Sequence, residues 1–189
     1  ECDVRSDDDV TRVLAETGET FGGGLDLLVH SVAFAAAEDL EGRFVDTPRD
    51  RFWMAVDISA YSLVACAKAA EPLMQARGGG SIVTMTYLGG VRAVPHYNVM
   101  GVAKATLDAS MRYLAWDLGQ SGIRVNAVSA GVVETDALSY FPNREQLVES
   151  FKARTPAGPV LTPEDVAGAV YLLCLPEAGM INGHTLFVD

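Results

Sequence analysis

The chain has 189 residues, 49% of them apolar, which is the length of one domain and enough to bury a substantial core. Its 14 Lys and Arg stand against 25 Asp and Glu, for a net charge of −11, which argues against a nucleic-acid surface and against broad attraction to anionic membranes. A small apolar or neutral substrate suits such a surface better.

The first residues, ending at Asp3 and Val4, read as the end of a strand. Residues 7–21 then place Val10, Val13, Leu14 and Phe21 at helical spacings behind three aspartates that complement the helix dipole. Gly22, Gly23 and Gly24 end that helix, and residues 25–29 form a continuous apolar run of strand length, as expected of a strand covered on both faces. Residues 25–37 are the longest strongly apolar stretch, but they include Asp26 and His30 and are too few to span a bilayer; nothing resembles a secretion signal. Thr47 is a suitable N-cap and Pro48 suits a first helical position, so a long helix is predicted from there to about Ala76, before Gly78. Residues 81–85 read as a strand, residues 96–118 as a helix, and residues 123–128 as a strand after the turn at Ser121 and Gly122. Asn143 with Gln146 has capping-box form, Thr162 and Pro163 repeat the Thr-Pro start, and residues 184–188 are the last strand.

Such alternation with apolar strands predicts an α/β fold, a parallel sheet with helices on both faces. No linker, charge block or repeat divides residues 1–189, so one domain is expected. Ligands of such sheets lie beyond the carboxyl ends of the strands. The chemistry is therefore expected at Asp3 and Val4 and in residues 30–33, 86–90 and 131–135. The cysteines Cys2, Cys66 and Cys174 are far apart and lack metal-ligand spacing, as expected of reduced thiols in a cytoplasmic protein. Lone histidines such as His30 and His96 are read as structural, and Asn126 as a residue that braces loops.

Tyr97 and Lys104 are seven apart at the start of one predicted helix, which brings them to nearly the same face, two turns apart. A tyrosine hydroxyl, with an ordinary pKa of about 10, can donate a hydrogen bond to a developing oxyanion, more readily if an ammonium stabilises the phenolate. Alone, the pair is equally compatible with an interfacial tyrosine and a solvated lysine.

Three stretches carry a resemblance: Leu27 to Ala35, with His30-Ser31-Val32-Ala33; Tyr97 to Lys104, Tyr-Asn-Val-Met-Gly-Val-Ala-Lys; and Ile123 to Gly131. They resemble the enoyl-acyl-carrier-protein reductases of bacterial fatty acid synthesis, within the short-chain dehydrogenase/reductase superfamily. The resemblance runs from Asp3 to the final strand. Most superfamily members carry Asn-Asn-Ala-Gly after the fourth strand and space tyrosine and lysine by four; here Met100 holds that place. Tyr87, ten before Tyr97, is also shared with the enoyl reductases. Residues 135–144 are similar to a divergent NADPH-using branch, whereas residues 57–62 (Asp-Ile-Ser-Ala-Tyr-Ser) are similar to the main NADH-using branch, so NADPH or NADH remains open.

The resemblance implies a Rossmann-like doubly wound sheet lacking its first strand-helix-strand unit. It implies reduction of trans-2-enoyl thioesters carried on acyl carrier protein, with Tyr97 stabilising the enolate, Lys104 holding the nicotinamide ribose and Tyr87 lining the substrate side. It further implies cofactor contacts from Asp3, Val4, Ser31, Val32, Ala33, Gly131, Val133 and Thr135, with Val132 standing where the main branch has proline. Residues 131–160 would form a substrate flap, its apolar wall made by Leu138, Tyr140, Phe141 and Leu147. Arg144, Lys152 and Arg154 would receive the acidic carrier protein, and the long helices would pair subunits into a homotetramer. No metal, nucleic acid or membrane partner is expected. Two other readings stay open: a superfamily enzyme acting on a carbonyl or alcohol, and a catalytically idle binding protein. The idle reading is prompted by the absence of a Gly-x-Gly-x-x-Gly loop, which also predicts that this stretch alone binds NAD(P)H poorly.

Overall fold

A computed structural model describes residues 1–133, 135, 138, 144–156 and 161–189, of which Leu147 is described by its backbone alone. Four parallel strands form one sheet in the order β1-β2-β3-β4: β1 (Leu27–His30), β2 (Gly80–Thr86), β3 (Ile123–Ala130) and β4 (Thr185–Val188). Seven α-helices are described: α1 (Asp7–Thr20), α2 (Ala37–Leu40), α3 (Arg49–Val56), α4 (Ser62–Gln75), α5 (Asn98–Gly119), α6 (Arg144–Lys152) and α7 (Pro163–Cys174).

Strand alternation divides the core. Ile82, Val125 and Ala127 face α4 and α5, packing with Leu63, Ala67, Met74, Leu107 and Met111, while α1 adds Val10 and Leu14. Val83 and Val128 face the other way, onto Val166, Ala169 and Leu173 of α7. Helices therefore cover both faces, as the alternation predicts. Asn126 braces the loop before β4, as expected: its amide donates to the Ile181 carbonyl and accepts from the His184 N–H.

Three expectations are corrected. Residues 1–4 form no strand; Asp3 is instead ion-paired with Arg5 at 2.7 Å, and its N–H donates to Asp9. A strand needs a ladder partner, and β1 is paired only with β2 among the described residues. Second, β1 is covered on one face only: Leu27 and Val29 are 46% and 50% exposed, because α7 packs on β2, β3 and β4. Third, Thr47 does not cap α3. Its hydroxyl donates to the Phe44 carbonyl within a short 3-10 turn (Phe44–Asp46), and Pro48 takes the cap position, so the helix starts at Arg49.

The second Thr-Pro behaves as predicted: Thr162 caps α7 in a full capping box with Asp165. The cap that Asn143 would give to α6 lies outside the described residues.

Helices α3 and α4 run on through a π-helical turn, Asp57–Tyr61. The 27 residues Arg49–Gln75 make a helix long and apolar enough, by length and composition, to cross a membrane. Here Leu63, Ala67, Ala70 and Met74 are fully buried against the sheet. The π turn has a local cause and a use. The Ser62 hydroxyl donates to the Ile58 carbonyl at 2.6 Å, and Ser59 Oγ, fully buried, accepts from the Phe34 N–H at 2.9 Å. The loop after β1 is thus fastened to the long helix.

Ser62 also holds His30, the last residue of β1. Because its proton goes to Ile58, it accepts from His30 Nε2 at 2.8 Å, and Nδ1 lies 3.0 Å from the Thr84 hydroxyl. His30 is structural, as expected. Burial, and then the positive charge of Lys104, push its pKa down from 6.5 to about 4. Between those values the unfolded chain binds the proton and the folded chain does not, so stability falls as pH drops from about 6.5 to about 4. The full loss is about 3 kcal/mol. Urea midpoints measured at pH 7, 5.5 and 4.5 should fall steeply for the wild type, and the fall should be shallower in His30→Gln.

Candidate active site

The carboxyl ends of β1, β2 and β3 open into one cavity of about 940 Å³. After β1 come Ser31, Ala33 and Phe34; after β2, Thr86 and Tyr87; after β3, Gly131, Val132, Val133, Thr135 and Leu138. Tyr97, Met100 and Lys104 enter from α5, and Leu40 and Val166 close the sides. Three of the four strand-end segments expected to hold the chemistry do meet. The fourth, Asp3 and Val4, is absent from the cavity wall, as is Val32 of the segment after β1. Tyr140 and Phe141 lie outside the described residues, as does the side chain of Leu147. Leu138 is described and buried in the wall.

The backbone at the head of α5 decides where Tyr97 points. Tyr97 is the N-cap residue, just outside the helix expected to contain it, and its neighbours His96 (φ 61°) and Asn98 (φ 36°) are both left-handed. Each such residue costs about 1–3 kcal/mol unless its surroundings fix it. Asn98 is fixed: its amide donates to the Asp39 carbonyl at 3.1 Å, and the Asp39 carboxylate, itself buried, pairs with Arg51 at 3.0 Å. That bracing ties the start of α5 to α2 and α3.

The Tyr97 ring then meets the Tyr87 ring edge-on, with centroids 4.8 Å apart. Gly89 lies against both rings: a β-carbon there would clash with the Tyr97 ring and come within 3.3 Å of the Tyr87 ring. Only glycine leaves the tyrosine its place.

Electrostatics differ from the picture that the sequence suggests. Burial, and then the neighbouring Tyr87 and Asp108, push the Tyr97 hydroxyl well above its ordinary pKa. The Lys104 ammonium donates to the Met85 carbonyl at 2.7 Å, and burial pushes its pKa down from 10.5 to about 8. Tyr97 is therefore a hydroxyl that keeps its proton, suited to donating a hydrogen bond, and no phenolate is prepared by the lysine. Burial likewise raises Tyr87, against a smaller lowering by Arg92.

The donor set fits one end of a dinucleotide. Ser31, Ala33 and Gly131 offer small side chains along one wall, Lys104 offers a buried cation, and Thr135 offers a hydroxyl in a largely apolar cavity. A ribose with a nicotinamide suits that wall, and an acyl chain suits Phe34, Leu40, Met100 and Leu138. No group of three or more His, Cys, Asp or Glu that could hold a metal occurs among the described residues. Sequence reasoning missed Phe34, Leu40, Met85, Val94, Pro95 and Val166 as lining residues. They are ordinary apolar residues, and their only signal is nearness to strand ends.

Comparison with known proteins agrees with this geometry. A family profile described as "Enoyl-(Acyl carrier protein) reductase" matches residues 1–189. The chain is 43% identical over 188 residues to the enoyl-[acyl-carrier-protein] reductase [NADH] of Aquifex aeolicus, covering 100% of this chain and 69% of that protein. To the enzyme of the same name from Bacillus cereus it is 44% identical over 188 residues, covering 72% of that protein. Among solved structures, the Anaplasma phagocytophilum reductase in complex with NAD superposes with a TM-score of 0.93 at 43% identity, over 100% of this chain and 71% of that one. The Bacillus cereus reductase with NADP+ and indole naphthyridinone gives 0.95 at 42% identity, over 100% of this chain and 72% of that one.

Proposed function

The chain belongs to the enoyl-(acyl carrier protein) reductase family, and from that premise we propose how its cavity serves the family's reaction. It reduces the trans-2 double bond of enoyl thioesters borne on acyl carrier protein, in fatty acid synthesis, with a nicotinamide dinucleotide as reductant. The nicotinamide, when bound, supplies the hydride that reaches the β-carbon of the substrate.

The roles of the residues are our proposal. Tyr97 donates its hydroxyl hydrogen bond to the thioester oxygen, where negative charge grows as the enolate forms. An interaction that strengthens with that charge lowers the barrier, whereas one felt equally by the bound substrate does not. Lys104 holds the ribose hydroxyls, and Tyr87 lines the thioester side and sets the angle of the Tyr97 ring. Ser31, Ala33, Gly131, Val133 and Thr135 border the nicotinamide end, and Leu138 belongs to the acyl wall. Asp3, Val4 and Val32 lie off this cavity, and we keep them as proposed contacts for the part of the dinucleotide that extends beyond it. The observation that carries it is the placing of Tyr97 and Lys104, seven residues apart, in one apolar cavity at the strand ends.

Arg144, Lys152 and Arg154 are exposed on and just after α6, and the Phe151 ring of that helix lies against Gly131 at the cavity edge. We place the docking of the acidic carrier protein there. We also propose a homotetramer paired through the outer faces of α3 and α5, where Trp53, Tyr113 and Trp116 are largely exposed. Its three cysteines are free, as suits the cytoplasm we assign to it.

Crotonyl and acetoacetyl thioesters offered as competing hydride acceptors test the reaction class. With NADH or NADPH, crotonyl thioester should be reduced at least about 100-fold faster, a difference of about 3 kcal/mol in barrier. Preferential reduction of the acetoacetyl carbonyl would instead establish the carbonyl-reducing alternative.

A further inference from the structure

Helix α5 holds a second buried charge that the reaction as described leaves without a part. Asp108 lies one turn beyond Lys104 and is 6% exposed. Its Oδ1 is sealed from solvent and has no hydrogen-bond partner among the described residues, and Thr86 Oγ1 is sealed in the same way. Thr86 directly follows Met85, whose carbonyl takes the Lys104 ammonium. The turn after β2 closes over this group at Gly90, where a β-carbon would come within 2.7 Å of Asp108 Oδ2 and 3.1 Å of the Lys104 carbonyl carbon.

A buried carboxylate short of donors is costly unless a cation shares its surroundings. Two cations act on Asp108: Arg112, exposed one turn further along α5, and Lys104. Arg112 weighs more on Asp108 than Lys104 does. Seen from Lys104, burial strips its charge and Asp108 is the charged group that opposes that loss. Around the pair stand His30 from β1, Tyr87 from the turn after β2, and Tyr97 from the head of α5. Near neutral pH all three are uncharged, since His30 is pushed down and both tyrosines up.

We propose that Asp108 is a positioning residue for Lys104, the counter-charge that keeps an ammonium, rather than an amine, in the cavity. Thr86 assists, because its hydroxyl favours the charged form of Asp108. The proposal rests on the role of Lys104 given above, and its test separates the two.

The chain has three lysines, Lys68, Lys104 and Lys152, so labelling the lysine ε-carbons with carbon-13 gives three resonances to follow against pH. Lys104 should titrate near pH 8. In Asp108→Asn its midpoint should fall by about one pH unit, and Asp108→Glu should restore it. In the complete enzyme the alkaline limb of kcat/KM should move with the midpoint. An unmoved midpoint in folded Asp108→Asn overturns the proposal, as does Asp108→Glu titrating like the asparagine variant. If Asp108→Asn fails to fold, Thr86→Val gives the same readout with a smaller downward shift, and no shift there overturns it equally. A midpoint that moves while the kcat/KM profile stays fixed upholds Asp108 as the counter-charge and removes Lys104 from the reaction.

Discussion

Tyr97→Phe should lower kcat on an enoyl thioester by about 100- to 1,000-fold, with little change in KM. Loss of one preorganised donor to a developing oxyanion costs about 3–4 kcal/mol of transition-state stabilisation. The phenyl ring keeps its edge contact with Tyr87 and its seat against Gly89, so the variant should remain folded. Steady-state kinetics beside a urea titration check both halves. Because the hydroxyl is pushed above its usual pKa, its loss should lower the wild-type profile by a constant factor from pH 6 to pH 8 without adding a limb. An unchanged kcat would remove Tyr97 from the chemistry.

Replacement of Lys104 by Met should weaken dinucleotide binding and remove one pH dependence of stability. Loss of a charged donor to the ribose costs about 1.5–3 kcal/mol, so the KM for the dinucleotide should rise about 10- to 150-fold. Stability follows another rule. With the pKa lowered from 10.5 to about 8, the unfolded chain holds a proton in that interval that the folded chain gives up. Wild-type stability should therefore rise with pH between about 8 and 10.5, by about 3 kcal/mol in all, and below pH 8 the folded state carries that penalty in full. A methionine of similar length carries no such penalty. Losing the ammonium also leaves the Met85 carbonyl unpaired and Asp108 with Arg112 alone, so the reading for Lys104→Met is the pH dependence: the rise in urea midpoint toward pH 10 should vanish. A variant less stable than wild type at pH 7, with an unchanged KM, would make Lys104 a structural residue.

How far the sequence was legible is clearest at its two Thr-Pro pairs. Thr47-Pro48-Arg49-Asp50 and Thr162-Pro163-Glu164-Asp165 share a cap, a proline and an aspartate at the same spacing. Only the second forms the capping box; at the first, the Phe44 carbonyl of the preceding turn takes the hydroxyl. That competitor is set by the conformation of residues 44–46, which carry no periodic signal. Periodicity found the sheet, its parallel strands and the helices on both faces. It could not show that Leu27 and Val29 stand open on one face, since exposure there depends on where α7 packs.

In the site, the spacing of Tyr97 and Lys104 held the signal, and the strand-end rule found three of the four segments that meet. The pairing of Lys104 with the Met85 carbonyl had none, because a backbone acceptor is present at every residue. Asp108 was equally invisible: one acidic residue on a helix reads as solvated until burial is known.

The two left-handed residues beside Tyr97 bear on how the enzyme matures. His96 and Asn98 reach those dihedrals only when α2 and α3 are docked, because Asn98 is held by the Asp39 carbonyl and Asp39 by Arg51. A nascent or partly melted chain can have its sheet complete and its tyrosine loose. Catalytic competence thus depends on the docking of α2 and α3 against the head of α5, and turnover reports on that docking more strictly than helix content does.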